Sequence, residues 1–120
     1  MIADVGLDVV GLPRFAALLA RSPEFATRYF TAAEQSRCRA QPRPAEAFAT
    51  VFAVKEALLK ALGLGVLDGV ALDDIDVVLG RGDARIQLRG GAAARLGPCT
   101  ALASWCRDGS RAWAVVVLAG

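Results

Sequence analysis

Residues 44 to 63, PAEAFATVFAVKEALLKALG, constrain the fold more than any other stretch of the chain. Pro44 suits a first helical turn, Gly63 suits the residue just past the end, and neither Pro nor Gly interrupts the span between them. The pattern predicts a helix of about five turns. At about 100° per residue, Phe48, Val51, Phe52, Leu58, Leu59 and Leu62 gather into one broad apolar arc, the side expected to face a core. Glu56 and Lys60 fall one turn apart at the rim of this arc and project side by side. Lys55 points into the arc between Val51 and Leu59, where its charge needs a partner or must reach water along its stem. A Glu followed four residues later by Lys is also the commonest stabilising pair on a solvated helix, so the helix alone leaves the role of Glu56 and Lys60 open.

So apolar a helix needs other elements to cover it, and 120 residues supply one domain with no room for a second. Apolar residues make up 55% of the chain and the mean hydropathy is +0.43, yet no apolar run approaches the roughly 20 residues of a membrane span. The expectation is a soluble chain with no membrane contact, whose apolar surplus is hidden in a dry core or against a second copy. Met1 leads into a strand-like run without a basic leader, so the expected setting is cytoplasmic. Cys38, Cys99 and Cys106 are odd in number and lack metal-ligand spacing, which predicts buried thiols.

Histidine is absent, and this excludes Ser-His and Cys-His nucleophile pairs, His-ligated metals and imidazole acid/base work. Chemistry is left to carboxylates, Lys, Arg, hydroxyls or an oxygen-ligated metal. A net charge of +2 argues against a nucleic-acid surface.

Residues 2 to 10, IADVGLDVV, read as an opening strand with Asp4, Gly6, Asp8 and Val10 on one face and Val5, Leu7 and Val9 on the other. Asp is poorly suited to a strand interior, so Asp8 either sits at a strand end or faces water on an edge strand, or is held there for a purpose. Gly11-Leu12-Pro13 reads as a turn before a short helix, 14 to 21, with Phe15, Leu18 and Leu19 as its buried stripe. A second helical piece runs from Glu24 to about Phe30, and Thr31-Ala-Ala-Glu34 is a capping-box pattern that opens a third. Arg14, Arg21, Arg28, Arg37 and Arg39 are expected to point outward, as a solvated face or as a docking surface for an acidic protein.

After the long helix comes a Gly-punctuated loop, GLGVLDGVAL, without the spacing of a P-loop or dinucleotide fingerprint. Strands follow at about 74 to 79 and 84 to 88 around Gly80-Arg-Gly-Asp83, then a brief helix over 90 to 96. Two last strands, about 100 to 106 and 111 to 118, place Trp105 and Trp113 in or beside the sheet.

Taken in order, GLDVV at 6 to 10, Arg14-Phe15, RYFTAAE at 28 to 34 and FAVKEALLKALGLGV at 52 to 66 resemble the holo-acyl-carrier-protein synthase family, the small 4'-phosphopantetheinyl transferases. The resemblance implies an α+β fold, helices on a small antiparallel sheet, assembled as a homotrimer with coenzyme A in the clefts between subunits. It implies transfer of 4'-phosphopantetheine from coenzyme A to a serine hydroxyl of an apo acyl carrier protein, leaving adenosine 3',5'-bisphosphate. Asp8 and Glu56 match the family's magnesium ligands, and Lys60 its lysine beside the phosphates. Glu56, directly or by way of a water, is the implied acceptor of the serine proton. Arg14, Arg21 and Arg28 lie where the family docks the acidic helix of a carrier protein, and the Gly63 to Gly65 loop lies near the nucleotide.

Two of the departures from the pattern, at Trp105 and Val51, remove a group able to bind phosphate. Ser104-Trp105 stands where relatives carry Ser-His, Val51 where they usually have Arg, and Gly80-Arg81-Gly82-Asp83 replaces a Gly-x-Pro hairpin. Trp105 is expected to stack on adenine instead. The alternative is a family member that binds a carrier protein or assembles with partners without transferring anything.

Overall fold

A computed structural model of the chain describes residues 1–64 and 72–120. Its elements run β1 (Ile2–Gly11), α1 (Leu12–Arg21), α2 (Pro23–Tyr29), α3 (Ala32–Arg39), α4 (Pro44–Ala61), a short 3-10 turn (Leu72–Asp74), β2 (Ile75–Leu79), β3 (Asp83–Leu88), α5 (Gly90–Leu96), β4 (Thr100–Asp108) and β5 (Arg111–Ala119). The strands form one antiparallel sheet in the order β1-β5-β4-β3-β2, so first and last strands pair and β1 is an edge. This is the α+β arrangement of helices on an antiparallel sheet read from the sequence.

The long helix is where it was placed, but it is covered on more than one side. Besides the expected arc, Ala47, Ala49, Thr50, Ala53, Val54, Lys55, Ala57 and Ala61 are buried as well. The sheet, chiefly β1 and β5, takes one side of α4, and α1 and α3 pack on others. Alanines make this possible, because their small side chains let neighbouring backbone approach from every direction. An aromatic cluster fixes the N-terminal helices to α4: Phe15 lies 5.2 Å from Phe52, Phe30 4.9 Å from Phe48, and Phe25 5.7 Å from Phe52, centroid to centroid.

Four expectations change. Leu12 and Pro13 belong to the first turn of α1 rather than to a turn before it, a position where proline loses no hydrogen bond. Asp8 sits neither at a strand end nor facing open water: Gly6, Asp8 and Val10 share the face of β1 turned to α4. Arg37 does not point freely outward: half-buried, it donates to Asp76 Oδ2 at 2.9 Å and to the Val77 carbonyl at 3.0 Å. Of the three free cysteines only Cys38 is buried, its thiol pushed up to about 11 chiefly by burial, while Cys99 is half-buried and Cys106 exposed.

The other face of the sheet is apolar and open. Val5, Leu7 and Val9 of β1 and Leu102 of β4 are 40–57% exposed, and this is where the apolar surplus of the composition lies. No helix among the described residues is long and apolar enough to cross a membrane.

Candidate active site

Two neighbouring elements build the site. Glu56 and Lys60 stand one turn apart on α4, and β1 brings Asp8 against them from the sheet edge. Lys60 Nζ donates to Asp8 Oδ1 at 2.8 Å and to the Leu7 carbonyl at 3.0 Å, its side chain about half exposed while that of Asp8 is mostly covered. Glu56, half-buried, makes no ion pair within 4.0 Å among the described residues. Burial pushes its carboxyl up, the negative charge of Asp8 pushes it further, and Lys60 opposes both.

Two carboxylates close enough to repel each other, with an ammonium resting on one of them, are groups that could hold a hard cation. No set of three or more His, Cys, Asp or Glu side chains able to hold a metal occurs among the described residues. Magnesium needs no more than one or two carboxylates, because waters and substrate phosphates complete its octahedron. The donor set therefore fits magnesium and does not fit a soft metal.

Behind the site, Lys55 resolves the conflict its position posed. It is fully buried and salt-bridged to Glu34 Oε1 at 2.6 Å, and it donates to the carbonyls of Tyr29 at 2.9 Å and Leu72 at 3.0 Å. Three acceptors use all three hydrogens of an ammonium. Glu34 also accepts from the backbone of Thr31 at 2.9 Å and of Val77 at 2.7 Å. Thr31 and Glu34 form the expected capping box of α3, and the same carboxylate neutralises Lys55.

Other candidate residues lie apart from this set. Gly63 ends α4 with φ +70, a left-handed conformation that favours glycine, and Arg95 of α5 donates to the neighbouring Leu62 carbonyl at 3.1 Å. Gly65 lies outside the described residues. Ser104 and Trp105, adjacent on β4, point to opposite faces and do not converge. Trp105 lies on the α4 side, in the same cross-strand row as Ala114 and Asp8. Its indole donates to the Asp83 carbonyl at 2.7 Å, and Arg107 stacks over the ring at 4.9 Å.

Trp105 and Val51 line one cavity of about 350 Å³, together with Cys38, Ala47 and Arg107. Val51 and Glu56 are about 140° apart around α4 at 100° per residue. The cavity and the carboxylate site therefore occupy opposite flanks of the same helix. Arg14 and Arg21 share a shallow hollow with Val10, Gly11, Phe15 and Leu18, and Arg28 is exposed on α2.

Residues 4–116 match the family model of the 4'-phosphopantetheinyl transferase superfamily. The chain belongs to this superfamily. A holo-[acyl-carrier-protein] synthase of Frankia casuarinae is 46% identical over 97% of this chain and 96% of its own length. Among solved structures, the holo-[acyl-carrier-protein] synthase of Neisseria meningitidis superposes with a TM-score of 0.86 at 27% identity over all of both chains. The ACPS-CoA complex of Chronobacterium ammoniagenes does so with 0.83 at 29% identity, covering 97% of this chain and 96% of the other. The family thus extends through the C-terminal half, where Trp105 and the 80–83 hairpin depart from its expected pattern.

Arg37 and Arg95 make internal contacts that no motif marks. Only the capping-box spacing pointed to Glu34, and it indicated a helix start rather than a partner for Lys55.

Proposed function

We propose that this chain transfers 4'-phosphopantetheine from coenzyme A to a serine hydroxyl of an apo acyl carrier protein in a magnesium-dependent reaction. The observation that carries this reading is the convergence of Asp8, Glu56 and Lys60 from β1 and α4, in a superfamily member. Asp8 and Glu56 would hold the ion. Bound magnesium supplies charge neutralisation on the pyrophosphate oxygens and a template for their orientation.

Lys60, anchored by Leu7 and Asp8, presents its ammonium where charge develops on the departing phosphate. The serine oxygen forms a bond to the phosphorus that carries pantetheine. The bond from that phosphorus to the bridging oxygen breaks, and adenosine 3',5'-bisphosphate leaves with the electron pair. Glu56, directly or by way of a water, takes the serine proton. Arg14, Arg21 and Arg28 offer an exposed cationic surface to an acidic carrier helix, and α1 itself carries no acidic residue to oppose them.

A homotrimer accounts for two features together. It covers Val5, Leu7, Val9 and Leu102, and it allows one coenzyme A to reach the carboxylate site of one subunit and the Trp105 cavity of the next. The nucleotide end then lies against Trp105. The second reading, carrier binding without transfer, draws on the same cavity, because Val51 makes one wall apolar and the Trp105 N–H is already engaged. Calorimetry with coenzyme A, with and without magnesium, separates the two. Transfer requires magnesium-dependent binding that Glu56→Ala abolishes; folded protein with no affinity for coenzyme A supports the second reading.

A further inference from the structure

At Gly6, β1 lies directly against the backbone of α4. A Cβ on this residue would overlap the carbonyl oxygen of Ala57 and lie 2.7 Å from the amide nitrogen of Ala61. Both are backbone atoms of a helix, so no side-chain rotation makes room. Gly6 is two residues from Asp8 on the same strand face, and Ala57 and Ala61 directly follow Glu56 and Lys60. The contact therefore joins the two elements at the level of the carboxylate site. On another side, Lys55 ties α4 to Tyr29, Glu34 and Leu72, so the helix is seated between two fixed contacts.

We propose that Gly6 is a positioning residue: by letting the α4 backbone rest on β1, it sets the Asp8–Glu56 separation and thereby selects a small divalent cation. The inference rests on the magnesium reading above. Magnesium demands near-ideal oxygen distances of about 2.0–2.1 Å, whereas calcium accepts about 2.3–2.6 Å in looser geometry. A methyl group at Gly6 must lift α4 and widen the pair, which penalises magnesium more than calcium.

The test is calorimetric titration of magnesium and of calcium into wild type and Gly6→Ala in the presence of excess coenzyme A, without carrier protein, so that no turnover occurs. Gly6→Ala is expected to lower magnesium affinity by about tenfold or more, as for other residues that support metal ligands, and to lower the magnesium-to-calcium affinity ratio. Thermal melts establish that the variant is folded. Should it fail to fold, Ala114→Val makes the same comparison, because Ala114 pairs with Asp8 and is buried on the face that α4 covers. An unchanged affinity ratio in the folded variant overturns the role of Gly6 and leaves the magnesium reading intact. Wild type that binds neither ion overturns the magnesium reading itself, and the role of Gly6 with it.

Discussion

Lys60 Nζ sits 2.8 Å from Asp8 Oδ1, linking the first strand to the last turn of the central helix across 52 positions of sequence. The ammonium is thereby kept beside the carboxylates rather than free to sweep through solvent. Lys60→Ala removes a charge placed for the departing phosphate and should lower kcat by about 10²–10³-fold. Steady-state transfer assays at saturating coenzyme A measure it, and a kcat within twofold of wild type would remove Lys60 from the chemistry.

Glu56 links activity to pH-dependent stability. Its folded carboxyl is raised above the ordinary value of 4.5 by burial and by Asp8, so the folded chain binds this proton more tightly than the unfolded chain. The resulting cost is absent below the unfolded value and grows as pH rises through the folded one. In metal-free protein, Glu56→Gln should therefore raise Tm at pH 7.5, and this gain should vanish near pH 4. Equal gains at both pH values would contradict the assignment.

Glu34 and Lys55 are both fully buried. Lys55→Met strands the Glu34 charge and should destabilise the fold by about 3–5 kcal/mol, whereas Glu34→Gln with Lys55→Met, which keeps an acceptor for the Thr31 and Val77 amides, should recover part of it. Urea unfolding of the two single variants and the double variant gives the coupling. Additive losses would mean that the pair does not act as a unit.

Arg14 and Arg21 share one hollow beside Phe15 and Leu18. Replacing both with Ala should raise KM for the apo carrier protein roughly five- to tenfold at low salt, with kcat little changed and a weaker dependence of rate on ionic strength. A fall in kcat at constant KM would place them in the chemistry instead of the docking surface.

Much of this was legible because the strongest signals were local. An uninterrupted apolar stretch between Pro44 and Gly63 fixed α4, and the Thr31–Glu34 spacing fixed the start of α3. Glu56 and Lys60 could be placed on one face from spacing, but only the resemblance tied them to Asp8, because contact across 52 residues leaves no periodic trace. Alanine hid the enclosure of α4. Ala47, Ala49, Ala53 and Ala57 read as neutral filler in a pattern of large apolar residues, yet they admit the neighbouring elements. Arg37 was indistinguishable from its outward-facing neighbours, since its direction depends on Asp76 and Val77, which arrive from a distant strand. Gly6 could be placed on the Asp8 face of the strand and in the GLDVV motif, but its close approach to α4 becomes visible only once the helix lies on β1.

The central claim is that Asp8, Glu56 and Lys60 carry phosphopantetheinyl transfer. Intact-protein mass spectrometry of an apo acyl carrier protein, incubated with this protein, coenzyme A and magnesium, tests it most directly. The account predicts a gain of one phosphopantetheine arm on the carrier, lost on chelation of magnesium and absent with Asp8→Ala. Folded wild-type protein that modifies none of several apo carrier proteins, or an Asp8→Ala variant that modifies them as fast as wild type, would contradict it.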